Sequence, residues 1–229
     1  MKKNIVLISG ALATPKLWQY QATSFQGQAH FFYVDVLNCL SIVDMAKRFA
    51  KIAHEPFILI GFSMGGYIAL ELFQYIPEKI LQLVLINSAA KKVSKQGQIE
   101  RERSRTLVAK GKFDFLVKKI FQKSVHDSNK YRTLLPLLQT MAHEVGAQNY
   151  ISQLNAILNK GDQTPLLSMI TCPTLLIASK QDKIMPPEQS EHMAACIKKS
   201  TVVHIEECGH LSPLEKPVIV NQILLNWIF

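Results

Sequence analysis

Short apolar runs alternate with stretches of helical period along this chain, and the alternation breaks off once. The runs are Asn4–Ser9, His30–Val36, Phe57–Gly61, Leu81–Asn87, Thr174–Ser179 and Thr201–Glu206. Several are nearly continuous in apolar residues, as strands are when helices cover both faces of a parallel sheet. Predicted helices fall between them at Ile42–Ala53, Gly65–Tyr75, Pro187–Ile197 and Pro217–Trp227. Pro77 stops the second of these, because proline cannot continue a helix interior. The pattern restricts the fold to the α/β class, with a mostly parallel sheet of about six strands.

From Asn87 to Thr174 no strand-like run occurs. Phe113, Leu116, Val117, Ile120 and Phe121 fall at i, i+3, i+4, i+7 and i+8, and Tyr150, Ile151, Leu154, Ile157 and Leu158 form a second stripe. An all-helical stretch after the fourth strand reads as a cap over the sheet. The expected division is an α/β core over residues 1–90 and 166–229, interrupted by a helical cap over 91–165. Gly97, Gly111, Gly146 and Gly161 are expected to mark turns between cap helices.

The charge balance sharpens this division. The chain has 26 Lys and Arg against 17 Asp and Glu, a formal charge of +9. Residues 91–132 hold 13 basic and 4 acidic side chains, so the whole surplus lies in the cap segment and the remainder is balanced. Basic clusters with interleaved aromatics would suggest nucleic acid, but this window offers only Phe113, Phe115, Phe121 and Tyr131. No nucleic-acid partner is expected. The long uncharged run Gln163 to Ser179 is broken by Pro165 and Pro173 and falls short of a membrane span. Cys39, Cys172, Cys196 and Cys208 are widely spaced, without a C-x-x-C pair, which suits buried thiols in a reducing, cytoplasmic compartment.

The chemistry concentrates at Gly61-Phe62-Ser63-Met64-Gly65, a G-x-S-x-G between an apolar strand and a helix. That context is what a nucleophile elbow requires, with glycines flanking a serine on a sharp turn so that strand and helix can approach. Serine needs a base held by an acid, and in this arrangement they follow in the order Ser, Asp or Glu, His. Asp182 follows the strand Thr174–Ser179, and His210 follows the last strand within Cys208-Gly209-His210. Both fall at C-terminal strand ends, where open parallel sheets gather their sites. His30, His54, His126, His143, His192 and His204 lack that position, although His126 or His143 could face a substrate from the cap. The rival place for the acid holds Asn87, which carries no charge.

Two backbone N–H groups should complete an oxyanion hole: Met64, after the serine, and Ala11 beside Gly10, with Leu12 as the alternative. Leu12, Trp18 and Phe62 are the expected substrate-binding residues. This settles the N-terminal segment, whose Lys2-Lys3 and Ala11-Leu12-Ala13 imitate a secretory signal. Cleavage there would remove a strand and half of the oxyanion hole, so a strand is expected instead.

With these residues in hand, the chain resembles the α/β-hydrolase superfamily, in its small, capped, bacterial esterase-like form. The likeness covers nearly the whole length through Ser9-Gly10 with Trp18, Gly61 to Gly66, Asp182 with Pro186, and Gly209-His210 with Glu215-Lys216-Pro217; Gln153, Asp162 and Pro173 add a weaker cap pattern. It implies a Ser63–His210–Asp182 triad, an oxyanion hole including Met64, and no metal or organic cofactor. Many members have His-Gly where this chain has Ser9-Gly10, and the superfamily's common first two strands are absent.

The expected function is hydrolysis of a carboxylic ester of a small molecule through an acyl-enzyme on Ser63. The basic cap admits an alternative, an acyl-carrier-protein or acyl-CoA ester presented on an acidic carrier. The resemblance makes this reasonable, since relatives that cleave a carrier-bound pimeloyl methyl ester use basic cap residues. The plainer reading gives those charges to the solvated faces of cap helices. The same fold also hosts C–C hydrolases, lyases and perhydrolases.

Overall fold

The computed structural model describes residues 2–229. Six strands, β1 (Lys3–Ile8), β2 (Ala29–Tyr33), β3 (Phe57–Phe62), β4 (Ile80–Ile86), β5 (Thr174–Ser179) and β6 (Ser200–Ile205), form one parallel sheet in the order β2-β1-β3-β4-β5-β6. Registers such as Leu7↔Ile60, Ile60↔Val84 and Ile86↔Ile177 bring the C-terminal ends of the central strands level. The order reverses between β1 and β3, which leaves a crevice beyond the strand ends there.

Alternate residues of each strand feed two separate cores. Ile5 and Leu7, Ile58 and Ile60, Val84 and Ile86, and Leu175 and Ile177 face one side. There they meet Leu17 and the Val220, Leu224 and Ile228 stripe of the C-terminal helix Pro217–Ile228. Val6, Ile8, Leu59, Leu83, Leu85 and Leu176 face the other. Their partners are Met45 and Ala46 of the helix Ile42–Ala50, Ile68 and Leu72 of Met64–Leu72, and Met193 of Glu188–Cys196. Burial on both faces explains the continuous apolar runs, each large aliphatic side chain contributing about 1.5–3 kcal/mol. Along β2, an edge strand, the pattern loosens, and Phe32 is half exposed. β2 also ends at Tyr33 rather than Val36: Val34 and Val36 are buried, but as loop residues of the second core.

In chain order the longer helices are α1 (Gln19–Ser24), α2 (Ile42–Ala50), α3 (Met64–Leu72), α4 (Lys95–Ala109), α5 (Phe113–Ser124) and α6 (Ser128–Asn159). They continue with α7 (Thr164–Leu167), α8 (Glu188–Cys196), α9 (Ser212–Glu215) and α10 (Pro217–Ile228). The helical insertion after β4 comprises α4, α5 and α6, as a capped core requires. α6 is two helical segments meeting at Gly146, whose φ of 76° and ψ of 157° break the spiral. Gly97 is not a turn residue: it lies in the first turn of α4, where its N–H is capped by Ser94 Oγ at 3.1 Å. Leu116, Val117 and Phe121 of the first predicted stripe and Tyr150, Leu154 and Ile157 of the second are buried, as are Leu138 and Met141 between them, whereas α4 has no fully buried residue.

The two roots of the insertion are joined by one side chain. Lys160 Nζ donates to Ala90 O (2.9 Å), Lys91 O (3.0 Å) and Gly161 O (3.3 Å), and lies 4.6 Å from the Tyr67 ring centre. Burial pulls its pKa down to about 8. Among the described residues no helix is long and apolar enough to cross a membrane, and all four cysteines are free thiols.

Candidate active site

Ser63 caps the junction of β3 and α3 with φ 53° and ψ −118°, a conformation that costs an ordinary residue about 1–3 kcal/mol. Its surroundings hold it there. The Ser63 N–H donates to Ile86 O (3.0 Å), and its carbonyl accepts from Ser88 Oγ (2.8 Å) and the Gly66 N–H (2.9 Å). The glycines answer to close approach. A Cβ on Gly61 would sit 2.7 Å from Gly65 O, and one on Gly65 would sit 2.2 Å from Ile8 O. Any side chain there would force the strand and helix apart.

The three residues predicted to act together are in contact. His210 Nε2 lies 2.9 Å from Ser63 Oγ, and His210 Nδ1 lies 2.6 Å from Asp182 Oδ2. This is the arrangement of a Ser-His-Asp triad for ester hydrolysis. With Nδ1–H donated to the carboxylate, Nε2 presents its lone pair to the serine hydroxyl. The Asp182 side chain has no exposed surface, yet its charge is well satisfied. Oδ1 accepts from the Ile184 N–H (2.7 Å) and the Met185 N–H (2.8 Å), so both oxygens are engaged.

Residues beyond the predicted set hold the histidine loop. Asn87, seen in the sequence only as a place where an acid was missing, is buried at the end of β4. Its Nδ2 donates to His210 O (2.7 Å), Ser179 Oγ (3.0 Å) and Ser212 Oγ (3.2 Å), and its Oδ1 accepts from the Ser179 N–H (2.9 Å). It thereby ties β4, the end of β5 and the loop carrying His210 into one unit. Glu215, buried in α9, accepts from the Gly209 N–H (2.8 Å) on one oxygen. Its other oxygen accepts from the His126 N–H (2.7 Å) and the Asp127 N–H (2.9 Å), between α5 and α6. The His210 N–H itself donates to Ser124 O (2.7 Å). The cap is thus built into the support of the base.

Around Ser63 the other predicted site residues take distinct places. Met64 follows it at the start of α3. A Cβ on Gly10 would lie 3.0 Å from Ser63 Cβ, so the Gly10–Ala11 loop passes directly beside the serine. Ser63 and Ala11 are partly exposed, whereas Leu12, Trp18 and Phe62 are sealed from solvent. The Leu12 N–H, the alternative oxyanion donor, is already given to Gln153 Oε1 of α6 at 3.1 Å. Trp18 Nε1 donates to Ser9 Oγ (3.1 Å), and that hydroxyl donates to Thr14 O (3.2 Å), which fixes the start of the loop beside the serine. Phe62 meets Trp18 edge-on at 6.4 Å and the His210 ring at 5.0 Å. His143 pairs with Asp114 (2.8 Å) on the cap surface, and His204 lies in β6 near Glu191 (3.5 Å).

The alpha/beta hydrolase fold family matches residues 42–217. The chain is 26 % identical over 195 residues to the protein named "Putative carbamate hydrolase RutD" of Serratia proteamaculans, covering 82 % of this chain and 73 % of that protein. Across the proteins of that name compared, the chain spans between 64 % and 87 % of their length. An esterase from Thermogutta terrifontis superposes with a TM-score of 0.85 at 21 % identity, over 100 % of this chain and 90 % of that one. The enol-lactonase of Burkholderia xenovorans gives 0.86 at 17 % identity, over 100 % and 92 %. At such identities the structural likeness establishes the fold.

Proposed function

Because the chain belongs to the alpha/beta hydrolase fold family and brings Ser63, His210 and Asp182 into one relay, we propose that it cleaves a carboxylic ester of a small molecule through an acyl-enzyme on Ser63. The observation that carries this is the unbroken path from Asp182 Oδ2 through the imidazole to Ser63 Oγ, at 2.6 and 2.9 Å. Ser63 Oγ attacks the ester carbonyl while His210 Nε2 takes its proton, and Asp182 stabilises the imidazolium that forms. The imidazolium returns the proton to the departing alcohol. Water, deprotonated by His210, then attacks the acyl-enzyme, and the acid leaves.

The N–H groups of Met64 and Ala11 form the oxyanion hole in this reading. Both flank Ser63, and neither finds an acceptor among the described residues, unlike the Leu12 N–H. Each such donor is worth about 3–4 kcal/mol in the transition state. Leu12, Phe62 and Trp18 shape the acyl side of the pocket, and the cap at 91–165 roofs it over a core of 1–90 and 166–229. Four free thiols fit a reducing cytoplasm. Covalent labelling by a fluorophosphonate tests the reading. Wild-type protein should label and turn over p-nitrophenyl esters, and Ser63→Ala should do neither while remaining folded; an active Ser63→Ala enzyme would remove the proposal.

The exposure of α4 favours a second reading of substrate delivery. Lys92, Lys95, Arg103, Lys110, Lys118 and Lys119 are exposed on the cap, and a carrier with an acidic surface could dock there. Turnover of a carrier-linked ester should then fall steeply with added salt while that of a free ester does not.

A further inference from the structure

Gln153 stands out among the buried polar groups. It sits on the second segment of α6 with 1 % of its surface exposed. Its Oε1 accepts the Leu12 N–H across 141 residues of sequence, which fixes the amide's orientation, since only the oxygen can take an N–H. The Nε2 on the other side of the same carbon is buried and finds no acceptor among the described residues. An amide N–H2 hidden from water without a partner is costly, and its persistence in a packed structure calls for an explanation.

Its location supplies one. Leu12 directly follows Ala11, and Gly10 touches Ser63. The unpaired donor is therefore one amide's width from the loop that passes the nucleophile, on the cap side. Leu12, whose N–H the same amide holds, is itself buried in the hydrophobic core. A few polar groups placed beside a reacting centre are how a pocket fixes the orientation of a mostly apolar ligand.

We propose that Gln153 is a specificity-determining residue whose Nε2 donates to an acceptor oxygen on the acyl chain, a few bonds from the reacting carbonyl. The preferred esters carry a keto or ether oxygen there rather than a plain alkyl chain. This rests on the ester-hydrolase reading. With substrate bound between α6 and the Gly10–Leu12 loop, its oxygen accepts from Nε2, while Oε1 keeps the loop in place. A chain lacking that oxygen leaves the donor unpaired and is discriminated against, as sites built to hydrogen-bond a substrate reject analogues without the group.

The test compares esters of one leaving group: p-nitrophenyl 4-oxopentanoate and 3-methoxypropanoate, each against p-nitrophenyl pentanoate, with rates corrected for hydroxide-catalysed hydrolysis. Wild-type kcat/KM should favour at least one oxygenated ester by about tenfold or more. In Gln153→Met, which keeps the length but has no polar atom, that ratio should collapse towards one. The ratio separates recognition from loop support, because a displaced loop slows all three esters equally. A wild-type ratio near one overturns the proposal without any variant, as does a variant that loses activity with the ratio intact. If the wild-type protein hydrolyses none of the esters and resists fluorophosphonate, the underlying hydrolase reading fails instead.

Discussion

The core and the cap are built to different tolerances. At the strand ends nearly every polar atom is committed: Asp182 has both oxygens bonded, Asn87 holds three neighbours, and Gly61 and Gly65 leave no room for a single carbon. The cap buries one face of α5 and α6, while α4 has no fully buried residue and exposes most of its charged side chains. Catalytic geometry is sensitive to errors of an ångström, so the rigid half is the one that holds the nucleophile and base. The two halves still meet at several points, among them Glu215 reaching the α5–α6 loop, Gln153 reaching Leu12, and Lys160 at the cap's roots.

The sharpest way to break that comparison is to remove core atoms. Ser63→Ala should lower ester kcat/KM by about 10⁴–10⁶-fold with little change in unfolding midpoint. A loss confined to tenfold would mean that the cap contributes the chemistry. Gly65→Ala comes next in size. Its Cβ would meet backbone at 2.2 Å, on atoms that cannot swing away. A loss of more than about 4 kcal/mol in denaturant unfolding, or failure to fold, is expected. A stable, active Gly65→Ala protein would show that the elbow yields more easily than its contacts indicate.

The same contrast explains what was legible in the sequence. Ser63, Asp182 and His210 could be read because each follows a strand, and strands announce themselves locally through apolar runs and glycine turns. The six strands and the helical insertion were legible for the same reason. The roles of Asn87, Glu215 and Gln153 were not: the last two stood out only as parts of the resemblance, and the partners of all three lie 123, 88 and 141 residues away, where no local pattern encodes a bond. Asn87 gave one unused hint, a polar residue ending an apolar strand; it adopts φ 47°, which asparagine tolerates better than most. Gly97 misled as a turn signal because Ser94, three residues earlier, caps a helix that runs through it. The end of β2 was misplaced because Val36 is buried in the second core as a strand residue would be, although it lies beyond the bond from the Val34 N–H to Leu7 O (3.1 Å) at which β2 leaves the sheet.

Lys160 tests the joint between the halves. Lys160→Met removes the three hydrogen bonds that span the cap's roots and should cost about 1–3 kcal/mol at neutral pH. The effect should depend on pH in a defined sense. Burial lowers the folded-state pKa to about 8 from an ordinary 10.5, so between those values the unfolded chain keeps a proton that the folded chain has released. Stability rises with pH wherever the unfolded state binds more protons. The wild-type advantage over Lys160→Met should therefore grow from pH 8 towards 10.5. An advantage that shrinks over that window would show that the ammonium form, held by its three carbonyls, is the one the fold favours.

The smallest effect is expected on α4, and it is the most direct check on the cap's tolerance. Lys95 and Arg103 are exposed on a helix with no buried residue, and neither takes part in an ion pair among the described residues. Reversing them in Lys95→Glu/Arg103→Glu changes the net charge by four without touching a packed atom. The unfolding free energy should move by no more than about 0.5 kcal/mol. Free-ester kcat/KM should stay within about twofold, because exposed charges further away than a Debye length of about 8 Å are screened from the serine at physiological salt. If the double variant unfolds, α4 packs more tightly than its exposure indicates, and the contrast between core and cap fails. Should stability hold while turnover of a carrier-linked ester drops and the free ester is spared, the charge belongs to docking. If both substrates are unaffected, it does no more than keep the cap hydrated.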